Sequence, residues 1–280
     1  MLKLIGVELF KIRKRRMTWI LLAVLIVFFC IVSMSQYAYF EAEKVSFQFP
    51  HLFAMIFSTG LGIGTILLII LVGSTVGNEY RWGTVGQMLT RRGARFYYLG
   101  AKLLALTIVA LIGLVFSLIV GFILASIISF LLFGSISWDF ISASFVWELV
   151  LMFGRTAFTL LPYMLLAAVF AIIGRSALVG VAGGLVYYFV EAIASGGLSQ
   201  VSGWTGSIPD YLMSHNVYAI ISLNQLNGEA PGVGPMGVVG IPTQLPSTLQ
   251  AAVTLLIYCL VFLAISFYLF RKQDLTVQAR

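Results

Sequence analysis

Charge is scarce in this sequence. Only 10% of its 280 residues are Asp, Glu, Lys or Arg, 60% are hydrophobic, and mean hydropathy is +1.03. A soluble domain carries about 25% charge, so an ordinary soluble globular chain is excluded. Cysteine is nearly absent too. Cys30 and Cys259 both fall inside apolar runs, which excludes a disulfide framework and a cysteine metal cluster and leaves two small buried apolar residues. The only histidines are His51 and His215. That rules out an H-E-x-x-H zinc site or an equivalent cluster. An intramembrane protease of the glutamate type needs paired Glu in a span with His at depth, and the chain has neither. There is no G-x-S-x-G elbow and no G-x-x-x-x-G-K-[ST] phosphate loop. Of seven prolines, Pro209, Pro231, Pro235, Pro242 and Pro246 share one stretch, so the rest of the chain is poor in helix breakers.

What is present is a set of apolar runs above the ~18 residues that mark a bilayer-spanning helix. They predict spans over 17–39, 53–76, 103–128, 149–173, 177–194 and 251–270. The third run stays apolar to Phe133, too long for one straight crossing, and is expected to emerge near Ala125 to Phe130 and continue along the outer surface. The first run follows a basic start, like a secretory signal, but five more spans follow and no clean A-x-A site ends it. An uncleaved signal-anchor is the reading. The whole of 1–280 reads as one all-α membrane domain of six transmembrane helices.

Positive charge orients the spans. Lys3, Lys11, Arg13, Lys14, Arg15 and Arg16 precede span one, and Arg81, Arg91, Arg92, Arg95 and Lys102 lie between spans two and three. Arg175 separates spans four and five, and Arg271, Lys272 and Arg280 follow span six. These fifteen of the seventeen basic residues share one side, with only Lys44 and Arg155 apart. The positive-inside rule then predicts that both termini are cytoplasmic. The +7 net charge is accounted for by topology and by attraction to anionic inner-leaflet lipid, so no nucleic-acid partner is inferred.

Residues 1–16 place Leu2, Ile5, Leu9 and Ile12 at helical spacing among Lys and Glu, which predicts an amphipathic interfacial helix leading into span one. The longest polar stretch, 195–250, falls outside, with one short helix expected over Pro209 to Leu223 and Gly/Pro-rich irregular chain after it. Gly60, Gly62 and Gly64 in span two, and Gly180, Gly183 and Gly184 in span five, read as small residues that let helices approach closely. Asp139 and Glu148 read as solvated outer carboxylates. Two charges fall within spans. Arg155 and Glu191 are candidates for lining a path, although Arg155 also shares a helix face with Glu148, beside which it can snorkel to the outer headgroups.

The cytoplasmic segment 78–100 carries the most distinctive pattern. Val85, Met88 and Leu89 give a short helix an apolar face, and Arg81, Arg91, Arg92 and Arg95 give it cationic rims. Such a helix, held between two spans, suits docking into a groove on a soluble partner. The plainer alternative is a basic loop that anchors topology.

This loop resembles that of ABC-2-type permeases, the transmembrane subunits of ABC transporters. Their pattern is E-x-x-x-G-T-x-x-x-[LM]-L-x-x-P-x-x-R with a Lys seven residues on. The chain matches at Glu79, Gly83, Thr84, Met88, Leu89, Arg95 and Lys102, and departs where the family often has Pro, with Arg92 followed by Gly93. Glu8, Lys11 and Arg13 before Trp19 are similar to the family's interfacial elbow helix, and the six-span layout agrees. The resemblance implies a permease subunit of an ATP-driven exporter in a prokaryotic plasma membrane. Its partners would be ABC ATPase subunits holding ATP and Mg, a second permease subunit and membrane lipid, with no cofactor and no catalytic or metal-ligating residue in this chain. Glu79 would orient the coupling loop, by capping a helix start or pairing with an Arg. Gly83 and Thr84 would permit close approach and cap the turn. Val85, Met88 and Leu89 would enter the ATPase groove, and Arg91, Arg92 and Arg95 would meet its acidic rim. A secondary transporter, or a non-transporting immunity, sensor or scaffold protein of the membrane, are the alternatives. The first usually shows repeats and charges near the midplane, which are sparse here.

Overall fold

The computed structural model describes residues 2–43, 49–82, 95–134, 141–198, 207–224 and 245–272. Among these the protein is all helical. The helices are α1 (Leu2–Lys14), α2 (Arg16–Glu43), α3 (His51–Arg81), α4 (Arg95–Phe133), α5 (Ala143–Gly174), α6 (Ala177–Leu198), α7 (Met213–Ile221) and α8 (Thr248–Lys272), with a 3-10 turn at Pro209–Tyr211. Six of them, α2 to α6 and α8, are long and apolar enough to cross a membrane. Each contains one of the apolar runs seen in the sequence.

The third run, expected to emerge near Ala125 to Phe130 and continue as an outer-surface segment, forms a single helix. α4 is one helix of 39 residues, about 58 Å at the helical rise. It begins at Arg95 and keeps its hydrogen-bond ladder through Ala125 to Phe130. The reason is local: no Pro or Gly interrupts it after Gly121. It stops at Gly134, which adopts φ 70° and returns its N–H to the Phe130 carbonyl at 2.8 Å. That is the left-handed glycine stop. The expected outer helix over Pro209 to Leu223 is also divided. Leu212 is extended at ψ 143° and separates the 3-10 turn from α7.

α3 and α5 are the interior helices, and the other four expose one face each. Exposed aliphatics run along α4 at Ile112, Ile119, Ile123 and Ile127, an outward apolar surface that suits lipid and not water. α5 passes into α6 through two residues, Arg175 in the left-handed region and Ser176, whose hydroxyl accepts from Leu178 N at 3.2 Å. This tight reversal lays α6 back against α3 and α5.

The α3–α6 contact is made backbone to backbone. A Cβ at Gly73 would lie 2.7 Å from the Gly180 carbonyl carbon, and one at Gly77 would lie 2.3 Å from Ala177 Cα. Gly180 faces Ala171 Cβ at 2.6 Å and Gly73 Cα at 3.0 Å in the same sense, and Gly184 faces Ile69. Close packing of small residues is what holds helices together where lipid is as apolar as their side chains. Of the α3 glycines singled out by sequence, Gly60 packs under the Phe29 ring, whereas Gly64 meets nothing within 4 Å. Gly73 and Gly77 carry the α6 contact instead. They form a G-x-x-x-G pair that was legible in the sequence.

Gly77→Val has no flexible side chain to displace and must separate two backbones. We expect it to cost about 3 kcal/mol or more, read as loss of monodisperse protein and a lowered unfolding midpoint in detergent. Gly64→Ala, made in parallel, is expected to be neutral. Equal midpoints for the two variants would refute this account of the α3–α6 contact.

Candidate functional site: a buried ion cluster at the base of the loop

α1 and α2 meet at an elbow around Arg15. The last carbonyls of α1 would be unpaired without help, and two α2 side chains satisfy them. Thr18 Oγ1 donates to the Ile12 carbonyl at 2.8 Å, and Trp19 Nε1 donates to the Arg13 carbonyl at 2.9 Å. The elbow fixes how α1 lies across the ends of α3 and α4. Its buried face is Glu8 and Ile12, with Ile5 and Leu9 packed beside them on the core. Leu2 was expected on this stripe but is exposed, as are Val7 and Phe10. α1 therefore has one face toward the protein and a second apolar face outward.

The protein-facing side of α1 meets two membrane helices at a cluster of charge. Glu8 comes from α1, Glu79 from the last turn of α3, and Lys102 from the early turns of α4. Lys102 is 1% exposed, and its ammonium contacts Glu79 Oε1 directly and Glu8 Oε2 at 3.3 Å. Lys11 bonds Glu8 and reaches Glu79 Oε1 at 3.7 Å. The Tyr98 hydroxyl donates to Glu79 Oε2, and its ring lies 5.6 Å from Lys102 Nζ. Two carboxylates and two ammonium groups thus close on one another. A buried ion survives only when paired and hydrogen-bonded, and here each carboxylate has both. Tyr98 also stacks on Phe270 at 6.4 Å between ring centres, joining the cluster to the end of α8.

The electrostatic balance can be read at Glu8. Burial pushes its carboxyl up, but Lys102 and Lys11 together outweigh burial and hold it below its ordinary value. Its ionised form is the one the fold favours.

Glu79 and Lys102 flank segment 83–94, so the cluster ties both roots of the loop to α1. The roles expected of Glu79, capping a helix start or pairing with an Arg, involve a loop that lies outside the described residues. Glu79 sits at a helix end and binds Lys102, because that end of α3 abuts α1 and α4, whose buried basic residue is a Lys. Gly83, Thr84, Val85, Met88, Leu89, Arg91 and Arg92 lie outside the described residues, as does the side chain of Arg95. Arg13 is exposed and contributes its carbonyl to the elbow. Tyr98 was missed by sequence reasoning, and nothing in the local pattern distinguishes it from Tyr97.

Arg155 and Glu191 are brought together around α7, at its opposite ends. The Glu191 carboxylate is buried and accepts from Met213 N, the first residue of α7, with the Tyr187 hydroxyl at 3.4 Å. Arg155 Nη1 donates to the Leu223 carbonyl just past the other end of α7 at 2.7 Å and pairs with Glu148 at 3.6 Å. An anion at a helix N-terminus and a cation at its C-terminus both complement the macrodipole. Within one protomer these charges hold a short, almost wholly buried helix in place. Among the described residues no group of three His, Cys, Asp or Glu side chains could hold a metal ion.

Removing one partner of a buried pair costs ~3–5 kcal/mol. Lys102→Met is therefore expected to destabilise more than Lys11→Met, whose ammonium is partly exposed. Glu8 gives a pH signature. A lowered folded pKa means its contribution is complete above the ordinary value of about 4.5 and is lost as pH falls through the folded value. We expect the unfolding midpoint to fall below about pH 4.5. Glu8→Gln is expected to lower the midpoint at pH 7 and to flatten that acid limb. An unchanged acid limb would show that Glu8 is not ionised in the fold.

Among curated proteins, no match to this chain is found. A family model described as "Protein of unknown function (DUF2705)" matches residues 20–276, which takes in Glu79, Tyr98, Lys102, Arg155 and Glu191. Since that match runs through all six membrane-length helices, the chain belongs to the DUF2705 family.

Proposed function

We propose that this protein is the permease subunit of an ATP-driven ABC exporter of the ABC-2 type, set in a prokaryotic plasma membrane with both termini cytoplasmic. The observation that carries the reading is the Glu8–Lys11–Glu79–Lys102 cluster. A loop that only anchored topology would not require buried ions at both of its roots. A loop that receives force does, because its roots must move with the helices they enter.

Two such subunits enclose a path, and two ATPase subunits, which bind ATP and Mg, dock beneath them. Val85, Met88 and Leu89 enter a groove on the ATPase, and Arg91, Arg92 and Arg95 face its acidic rim. Closure of the ATPases pushes segment 83–94. The cluster keeps α1, α3 and α4 from yielding separately, so they shift as one body. α3 then moves α6 through the contacts of Gly73 and Gly77 with Gly180 and Ala177. Rigid-body motion of packed helices is a familiar form of such switching. Arg155 and Glu191 hold α7 at the outer end, where it closes the path from outside.

The orientation is tested by single cysteines at Glu43, Gly232 and Arg92 in a background lacking Cys30 and Cys259. In intact cells, an impermeant maleimide should label the first two and spare the third. Labelling at residue 92 from outside would overturn the orientation.

Docking is tested by replacing Met88 and Leu89 together with Asp. Insertion should persist, since both lie outside the lipid in this reading. Co-purification of an ABC ATPase, the partner this reading requires, should be lost, because unpaired charge buried at a docking site costs ~2–5 kcal/mol. Normal co-purification and transport by the double variant would return the loop to a topological anchor.

A further inference from the structure

Two adjoining hollows open along α2 and α3, one reaching in to α4 and one at the elbow, and Thr18 and Leu71 line both. The deep part is a cavity of about 240 Å³ walled by aliphatic side chains that include Leu25, Leu61, Leu68 and Leu114. The second part, about 220 Å³, lies at the elbow and is lined by Arg15, Arg16, Ser74, Thr75, Asn78 and Trp82. Cationic and polar groups thus stand at one end of a groove that becomes apolar as it enters the bundle. No carboxylate lines either part.

Two further observations show that the space is built and not left over. Gly64 and Gly113 border the deep part, and a Cβ at either would meet no atom within 4 Å. Unlike Gly73 and Gly77, they serve no helix contact, and their missing side chains keep the cavity open. Thr75 lines the polar part. It is 2% exposed, yet its hydroxyl has no hydrogen-bond partner. Thr65 and Thr107 on α3 and α4 donate back to their own helices at 2.9 and 3.0 Å, the usual resort of a buried helical hydroxyl. Thr75 does not; its hydroxyl is closed off as it stands, and a turn of the side chain about χ1 would present it to an acceptor in the polar part.

We propose that this cleft holds one anionic phospholipid, with its phosphate at Arg15, Arg16 and Thr75 and an acyl chain along Gly64 and Gly113. Arg guanidinium and a hydroxyl match phosphate oxygens. The Arg15 guanidinium lies 5.0 Å over the Trp82 ring, which keeps it at the mouth, and Trp favours the headgroup level of a bilayer. The order of polar then apolar lining follows the order of an amphiphile entering from the membrane surface. A second copy of this chain fits less well. It would bring its own basic helix ends, such as Arg81, Arg271 and Lys272, to the depth where Arg15 and Arg16 already stand. The expectation that the lipid comes from the inner leaflet rests on the orientation proposed above, whereas binding itself does not.

The test uses the full chain purified in a neutral detergent, with the unfolding midpoint as readout, since a ligand of the folded state raises it. Dioleoyl phosphatidylglycerol should raise the midpoint saturably, dioleoyl phosphatidylcholine should do so far less, and inorganic phosphate should leave it unchanged. Arg16→Gln should weaken half-saturation roughly fivefold, the worth of one cation near a membrane surface. Gly113→Leu, whose Cβ would meet no atom within 4 Å and whose side chain would occupy the deep part, should abolish the shift. Equal response to the two lipids, an undiminished response in Gly113→Leu, or a response to inorganic phosphate matching that of the lipid would each overturn the proposal. So would disulfide crosslinking of two copies through Leu22→Cys, because it would put a second chain in the cleft. The wild-type comparison of the two lipids decides the matter even where a variant fails to fold. A failed titration leaves the ATPase-docking reading standing, since that is read from Met88 and Leu89.

Discussion

Burying Lys102 is the constraint on which the α1 end of the bundle depends. An ammonium group taken from water into a helix bundle is unfavourable by several kcal/mol unless its partners are in place. Those partners come from two other elements, Glu8 on α1 and Glu79 on α3. None of the three can be accommodated alone. Two carboxylates without the ammonium would repel, and the ammonium without them would draw in water or lose its proton. α1 is accordingly part of the membrane domain and not an appended surface helix, and its position is dictated by charge pairing as much as by Ile12.

The rest of the bundle is held by a different force. Between α3 and α6 the close contacts are glycine against glycine, glycine against alanine, and Gly184 against the Ile69 side chain. In lipid, such contacts gain from dispersion over a close backbone approach. α3 therefore links the two regimes. Its Glu79 end is locked electrostatically to α1 and α4, and two to six residues earlier its Gly77 and Gly73 are locked sterically to α6. A helix clamped in both ways transmits a push at one end without bending, which is what the proposed coupling to an ATPase needs. The region around α7 uses polar side chains again: Glu191 and Arg155 satisfy opposite termini of a helix too short to be stable alone.

Much of this was legible before folding. The apolar runs gave the six helices, and the bias of Lys and Arg gave an orientation. Glu79 and Lys102 were marked by resemblance and do meet, but their meeting was not evident, because an acid and a base 23 positions apart can as well face opposite sides of a loop. Gly73 and Gly77 could have been found by their spacing. The unbroken α4 could not be judged from hydropathy, since a long apolar helix and a span followed by a surface segment read alike until Gly134 is seen to end it.

What the sequence determined by itself was the helical class and the six membrane-length helices, because both follow from the one-dimensional statistics of transfer between water and lipid. An apolar stretch long enough to span will form a helix whatever its neighbours do. What only the tertiary structure decided was which charges are shared, which glycines touch and which stay open. Glu8 read as one polar residue on an amphipathic helix, and Gly113 as one small residue among many apolar ones. The first proved to be the counter-ion of a buried lysine and the second the wall of a cleft. Those roles depend on distances between helices, and such distances are set by packing across the whole bundle and not by any local run of residues.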